Sequence, residues 1–191
     1  FILHTPAIRL TVRHKHAKLH TALAPDYDLK RKRIALLVPE GDHAFVDLLR
    51  DGLLASGAQL LLVNLTGRPI VTEDRTYLPD ARIWDLDVNR IDGLILAGGE
   101  GAKDLWDDED VGRLVREAVR ARKTLGGAGA ASIALLKSEP SLKEKKFTTS
   151  KELANEAVIQ KTPYTGKEVE IDGKLVTTTG ADKKAIRAFL E

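Results

Sequence analysis

Apolar and polar positions change their period several times along this chain, and each change marks an element. Ile34, Ala35, Leu36, Leu37 and Val38 form an unbroken apolar run between Arg33 and Pro39. A short apolar run bounded by charge and a turn residue predicts a strand buried on both faces, as in parallel sheets. Phe45, Leu48, Leu49 and Leu53 then recur at helical spacing, and Gly57 ends that helix. Residues 59–63 and 93–97 repeat the buried-strand pattern. Val111, Leu114, Val115, Ala118 and Val119 form a second helical stripe. Asp107, Asp108, Glu109 and Asp110 precede it, where carboxylates suit the positive end of a helix dipole. Residues 124–127 predict a short fourth strand, with a helix opening behind it around residues 133–136. Residues 169–171 and 175–177 flank Asp172 and Gly173, a pair that marks a β-hairpin turn. Ala185, Ile186, Phe189 and Leu190 predict a last helix.

Strands that alternate with helices predict an α/β fold: a doubly wound, mostly parallel sheet with helices on both faces. A chain of 191 residues fits one such domain, over residues 31–191, preceded by an arm or linker over residues 1–30. The arm is basic: Arg9, Arg13, Lys15 and Lys18 all come before the first acidic residue, Asp26. Ile8, Leu10 and Val12 alternate with Arg9, Thr11 and Arg13, which suggests a short strand docked on a neighbour. His16 and His20 would share one face of a helix, with His14 nearby, but no carboxylate or cysteine accompanies them. A basic contact surface, with no metal, is the expectation there.

Composition narrows the function. With 43% apolar residues the chain can bury a sizeable core. A net charge of +2 argues against a dedicated nucleic-acid binder. No apolar stretch approaches the ~18 residues of a membrane span. The opening residues are too interrupted for a signal-peptide core, so a cytoplasmic protein is expected. The chain contains neither cysteine nor methionine. That removes disulfide and thiolate chemistry.

In such sheets ligands bind beyond the carboxyl ends of the strands. Three loops qualify: residues 39–43, 98–102 and 127–132. Gly98 and Gly99 let the backbone approach a ligand and aim N–H groups at an anion, the logic of an oxyanion hole. The third loop stands where a nucleophile elbow would lie, at a strand-to-helix turn. Its one hydroxyl is Ser132. A serine nucleophile needs a base, for which His43 of the first loop is the candidate. The simpler reading of Ser132 is a helix-start residue. Neither a G-x-G-x-x-G turn nor a phosphate loop follows the first strand, so no nucleotide or other cofactor is expected.

Several segments together resemble the ThiJ/PfpI superfamily (class I glutamine amidotransferase-like). Residues 34–41 resemble its first strand and acidic loop. Residues 92–102 resemble its D-x-L-x-x-P-G-G-x-G-A segment. Residues 145–149 resemble a K-x-x-T stretch, and residues 172–178 its D-G-N-L-V-T-S hairpin. The likeness runs from about residue 33 to 191 in the same order. It implies a flavodoxin-like sheet. The superfamily's cysteine stands in K-P-x-x-x-x-C-H-G-P. Counted from Lys123, the cysteine position falls at Gly129 and its histidine neighbour at Ala130, with Ala131 and Ser132 after them. The glutamate that would hydrogen-bond the cysteine falls at or near Asp42, with Glu40 and His43 beside it. Gly98 and Gly99 persist.

The resemblance therefore implies a family member without its nucleophile, a homo-oligomeric stress-type or chaperone-like module. A small carbonyl or peptide ligand at the elbow is the implied small-molecule partner. Two alternatives stand beside it. One is an active cysteine-dependent hydrolase or glyoxalase/deglycase, which needs a cysteine that this sequence does not carry. The other is the cysteine-less C-terminal domain of a large-subunit catalase, with the basic arm as its linker.

Overall fold

The computed structural model describes residues 29–41, 44–156, 159–180 and 183–190. The basic arm up to residue 28, with His14, His16 and His20 and its suggested strand, lies outside the described residues. The chain runs β1 (Arg33–Leu37), α1 (Ala44–Ala55), β2 (Gln59–Asn64), then three two-residue strands, β3 (Ile70–Val71), β4 (Thr76–Tyr77) and β5 (Ala81–Arg82). It continues through β6 (Gly93–Leu96), α2 (Glu109–Arg120), β7 (Thr124–Ala128) and α3 (Ala130–Ser138). β8 (Val169–Asp172), β9 (Leu175–Thr178) and α4 (Lys183–Leu190) complete it.

Seven strands form one sheet in the order β5-β2-β1-β6-β7-β9-β8. Every neighbouring pair is parallel except the hairpin of β8 and β9. β1 sits between β2 and β6, with Ile34 opposite both Leu60 and Gly93. The chain moves one way from β1 to β2 and returns to the other side for β6, as in a doubly wound sheet.

The continuous apolar run of β1 follows from this central place. Ala35 and Leu37 enter a core shared with α2 and α3, where Leu94, Leu114 and Ile133 also lie. Leu36 and Val38 enter a second core on the other face, with Leu49 and Leu53 of α1 and Phe189 of α4. Both faces are covered, so alternation by twos has no polar partner to show. At the start of α2 the acidic run acts as a cap: Asp108 accepts a hydrogen bond from the Val111 N–H at 2.9 Å. Gly57, with φ +85°, turns the chain from α1 into β2.

The two-residue edge strand β5 and the ribbon of β3 and β4 have no precedent in the sequence pattern. β3 and β4 pair antiparallel as a separate ribbon, too short to show a period. Polar contacts clip it to α1. Arg75 Nη1 donates to both carboxylate oxygens of Asp51, at 2.9 and 3.0 Å. The Tyr77 hydroxyl donates to Asp47, and Arg50 lies 4.8 Å over the Tyr77 ring. Burial, then the hydrogen bond to Asp47, holds the Tyr77 phenol above its ordinary pKa, so it stays a donor.

Candidate functional site at the turn after β7

The loops after β1, β6 and β7 meet at the carboxyl end of the sheet, and glycines let them meet. A Cβ at Gly98 would stand 2.8 Å from the carbonyl oxygen of Ala128, the last residue of β7. A Cβ at Gly101 would stand 1.9 Å from the carbonyl oxygen of Glu40 in the first loop. Backbone therefore presses on backbone at two places, which a side chain would prevent. Gly99 adds a conformation, φ 141° and ψ −177°, open to little but glycine.

Gly129 is the single residue between β7 and α3, with φ 51° and ψ −126°. Its N–H donates to the Thr178 carbonyl at 2.8 Å. Its own carbonyl accepts from the Ser132 N–H at 3.1 Å, Ser132 Oγ at 2.6 Å and Thr149 Oγ1 at 2.8 Å. The turn is thus held from both sides in a backbone state that costs a side-chain-bearing residue roughly 1–3 kcal/mol. Among the described residues, a Cβ there would nevertheless meet only the Thr179 carbonyl oxygen, at 3.6 Å. The turn has the form of an elbow and no group to present on it.

Ser132 does not supply one. It is fully buried in the first turn of α3. Its single proton is shared between the carbonyl oxygens of Gly129 and Thr148, the latter at 3.2 Å. This is the geometry of a helix-start residue. Ala130, at the position next to Gly129, has a methyl side chain and contributes through its backbone. Glu40 turns away from the elbow: its Oε1 accepts from Thr66 Oγ1 at 2.7 Å, beyond the end of β2. β2 lies on the side of β1 away from β6 and β7. Asp42 and His43, the candidate acidic partner and base, lie outside the described residues. No group of three His, Cys, Asp or Glu that could hold a metal occurs among the described residues.

Two supporting contacts escaped the sequence reading. Trp106 Nε1 donates to the Ala130 carbonyl at 2.8 Å. Lys103 and Lys137 place their ammonium groups 5.6 and 5.4 Å from its ring. Thr149 is the second contact, and only its place in the K-x-x-T stretch hinted at a role. That stretch is tied to the β8–β9 hairpin. Asp172 accepts from the Lys146 N–H at 2.9 Å and from Lys145 Nζ at 3.2 Å. The Lys146 hydrogen bond, then that of Lys145, holds the Asp172 carboxyl below its ordinary pKa.

The start of α3 thus stands beside a glycine loop, and residue 129 carries no side chain that could attack a bound group.

The profile of the DJ-1/PfpI family matches residues 33–190. The fold is similar to that of Drosophila melanogaster DJ-1beta, with a TM-score of 0.71 at 22% identity, covering 83% of this chain and 86% of that one. A ThiJ/PfpI domain protein from Brachyspira murdochii gives a TM-score of 0.71 at 16% identity, covering 84% and 92%. Schizosaccharomyces pombe DJ-1 gives 0.68 at 16% identity, covering 83% and 87%. No curated protein matches the chain. No helix among the described residues is long and apolar enough to cross a membrane.

Proposed function

Since this chain belongs to the DJ-1/PfpI family and contains no cysteine, we propose that it works through its surface, as a catalytically silent, oligomeric module of the stress-type or chaperone-like kind. The observation that carries this reading is Gly129: the elbow is formed, its carbonyl is clamped by three donors, and no nucleophile stands on it. Thiolate catalysis needs a sulfur at the turn, an acid to hydrogen-bond it and N–H groups for the developing oxyanion. Glycine removes the first outright. Ser132 cannot replace it, because it is buried and its proton is already engaged.

What remains suits binding. Gly98 and Gly99 would offer N–H groups to the oxygen of a small carbonyl or peptide ligand. Water activated by His43 could then give only a small residual rate, since covalent catalysis is lost.

The test has two arms. In the first, methylglyoxal turnover by the unaltered protein is compared with that of Gly129→Cys and of Gly129→Cys with Asp42→Glu. Turnover by the unaltered protein equal to either variant would sink the silent-site reading. In the second, light scattering follows the oligomeric state and the heat aggregation of a labile client protein. A monomer at high concentration that leaves client aggregation unchanged would sink the chaperone-like role and leave the first arm standing.

A further inference from the structure

The opposite, amino-terminal edge of the sheet carries a cavity of about 420 Å³. Its volume lies within the range of small-molecule sites. Leu29, Ile34, Ile95, Val176 and Phe189 make its floor. Leu29, Ile34 and Phe189 pack against the core under α1 and α4, yet each stays only partly buried. The cavity continues that core toward the sheet edge. Two strand glycines keep it low and wide. A Cβ at Gly126 would come 2.7 Å from Phe189 Cε1, and one at Gly93 would come 3.2 Å from Ile34 Cδ1.

The mouth is basic. Lys32, Arg122, Lys123 and Lys174 line it against one carboxylate, Asp92. Asp92 is already engaged: it accepts from the Arg33 N–H at 2.9 Å and faces Lys32 Nζ at 4.0 Å. Lys174 Nζ donates to the Arg122 carbonyl. Among the described residues, neither the Arg122 guanidinium nor the Lys123 ammonium has a carboxylate partner. Arg122 follows the C-cap of α2 at φ 53°, where glycine is the usual residue. Among the described residues the other left-handed residue that is not glycine, Arg31 at φ 68°, adjoins Lys32 in the chain. At Arg122, which lines the cavity, the backbone carries a conformational cost that glycine would not.

We propose that this cavity binds a small amphipathic carboxylate. Its aliphatic or aromatic body lies on the apolar floor. Its carboxylate meets Arg122 and Lys123, the guanidinium supplying a planar fork of donors. The site is separate from the elbow, at the other end of β7, and does not depend on the elbow's chemistry.

The experiment titrates octanoate, and 1-octanol as its neutral counterpart, into the full chain while amide resonances are followed by NMR. Octanoate is expected to shift the Gly93, Gly126 and Val176 amides with saturation near about 1 mM. The pair Arg122→Glu with Lys123→Glu should weaken octanoate about tenfold and leave 1-octanol unchanged, since only the carboxylate loses partners. Thr124→Trp, an exposed substitution at the mouth, should weaken both ligands; Ala121→Trp serves if that variant misfolds. The proposal is overturned by equal losses of octanoate and octanol in the charge-reversed pair, by shifts confined to residues 98–102 and 129–132, or by no saturable shift. It is also overturned if octanoate fails to bind while Thr124→Trp breaks an oligomer, because a second copy then fills the cavity.

Discussion

The indole Nε1–H of Trp106 donates to the Ala130 carbonyl across 2.8 Å, joining the segment after β6 to the first residue of the helix behind the elbow. Trp106→Phe keeps most of the ring and deletes the donor. The expected cost is about 1 kcal/mol, the net worth of one such bond. It should appear as a lower urea midpoint with an unchanged far-ultraviolet spectrum. A midpoint equal to that of the parent would show that the bond does not contribute.

At Gly129 the structure separates two costs that usually come together. Among the described residues a Cβ meets only one atom, at 3.6 Å, but φ is +51°. Gly129→Ala and Gly129→Cys should therefore lose similar stability, about 1–3 kcal/mol, through backbone strain rather than crowding. Denaturant titration of the two variants checks this. A much larger loss for cysteine would mean that the open space is not there.

Gly101 is the opposite case. Its Cβ would overlap the Glu40 carbonyl at 1.9 Å, and both partners are backbone. Gly101→Ala must push the first and second strand-end loops apart, at a cost of about 3 kcal/mol or more. Gly180 is the control: among the described residues nothing lies within 4 Å of a Cβ there. Gly180→Ala should change stability by less than about 0.5 kcal/mol. Thermal melts of the pair compare them directly, and equal shifts would refute the argument.

Asp172 gives a pH dependence. Its folded pKa is depressed by the Lys146 N–H and then by Lys145. Its stabilisation is therefore present above the unfolded aspartate value near about 4, and is lost as pH falls through the lower folded value. Asp172→Asn should flatten the acid limb of the stability curve in that window. Its effect should be greatest at neutral pH. An acid limb as steep as the parent's would assign the slope to other carboxylates.

The amino-acid sequence by itself determined the four parallel strands β1, β2, β6 and β7, the β8–β9 hairpin and their order along the chain. Runs such as residues 34–38, and the Asp172–Gly173 turn, announce themselves because burial on two faces and a tight hairpin each demand particular residue types locally. It also decided the central chemical fact, the missing sulfur, since no fold can restore an atom the chain lacks. The short ribbon of β3 and β4 was not legible: two residues cannot display a period, and its support comes from Asp47 and Asp51 on a distant helix. Only the tertiary structure decided the surroundings of Gly129. The bond from Thr149, the brace from Trp106 and the turn of Glu40 toward Thr66 join residues 20 to 26 positions apart in the chain. Their geometry is set by the packing of three loops, which local pattern does not encode. The basic mouth over Ile34 and Phe189 is of the same kind. It collects cations from three separate turns, and only the closing of the sheet brings them to one edge.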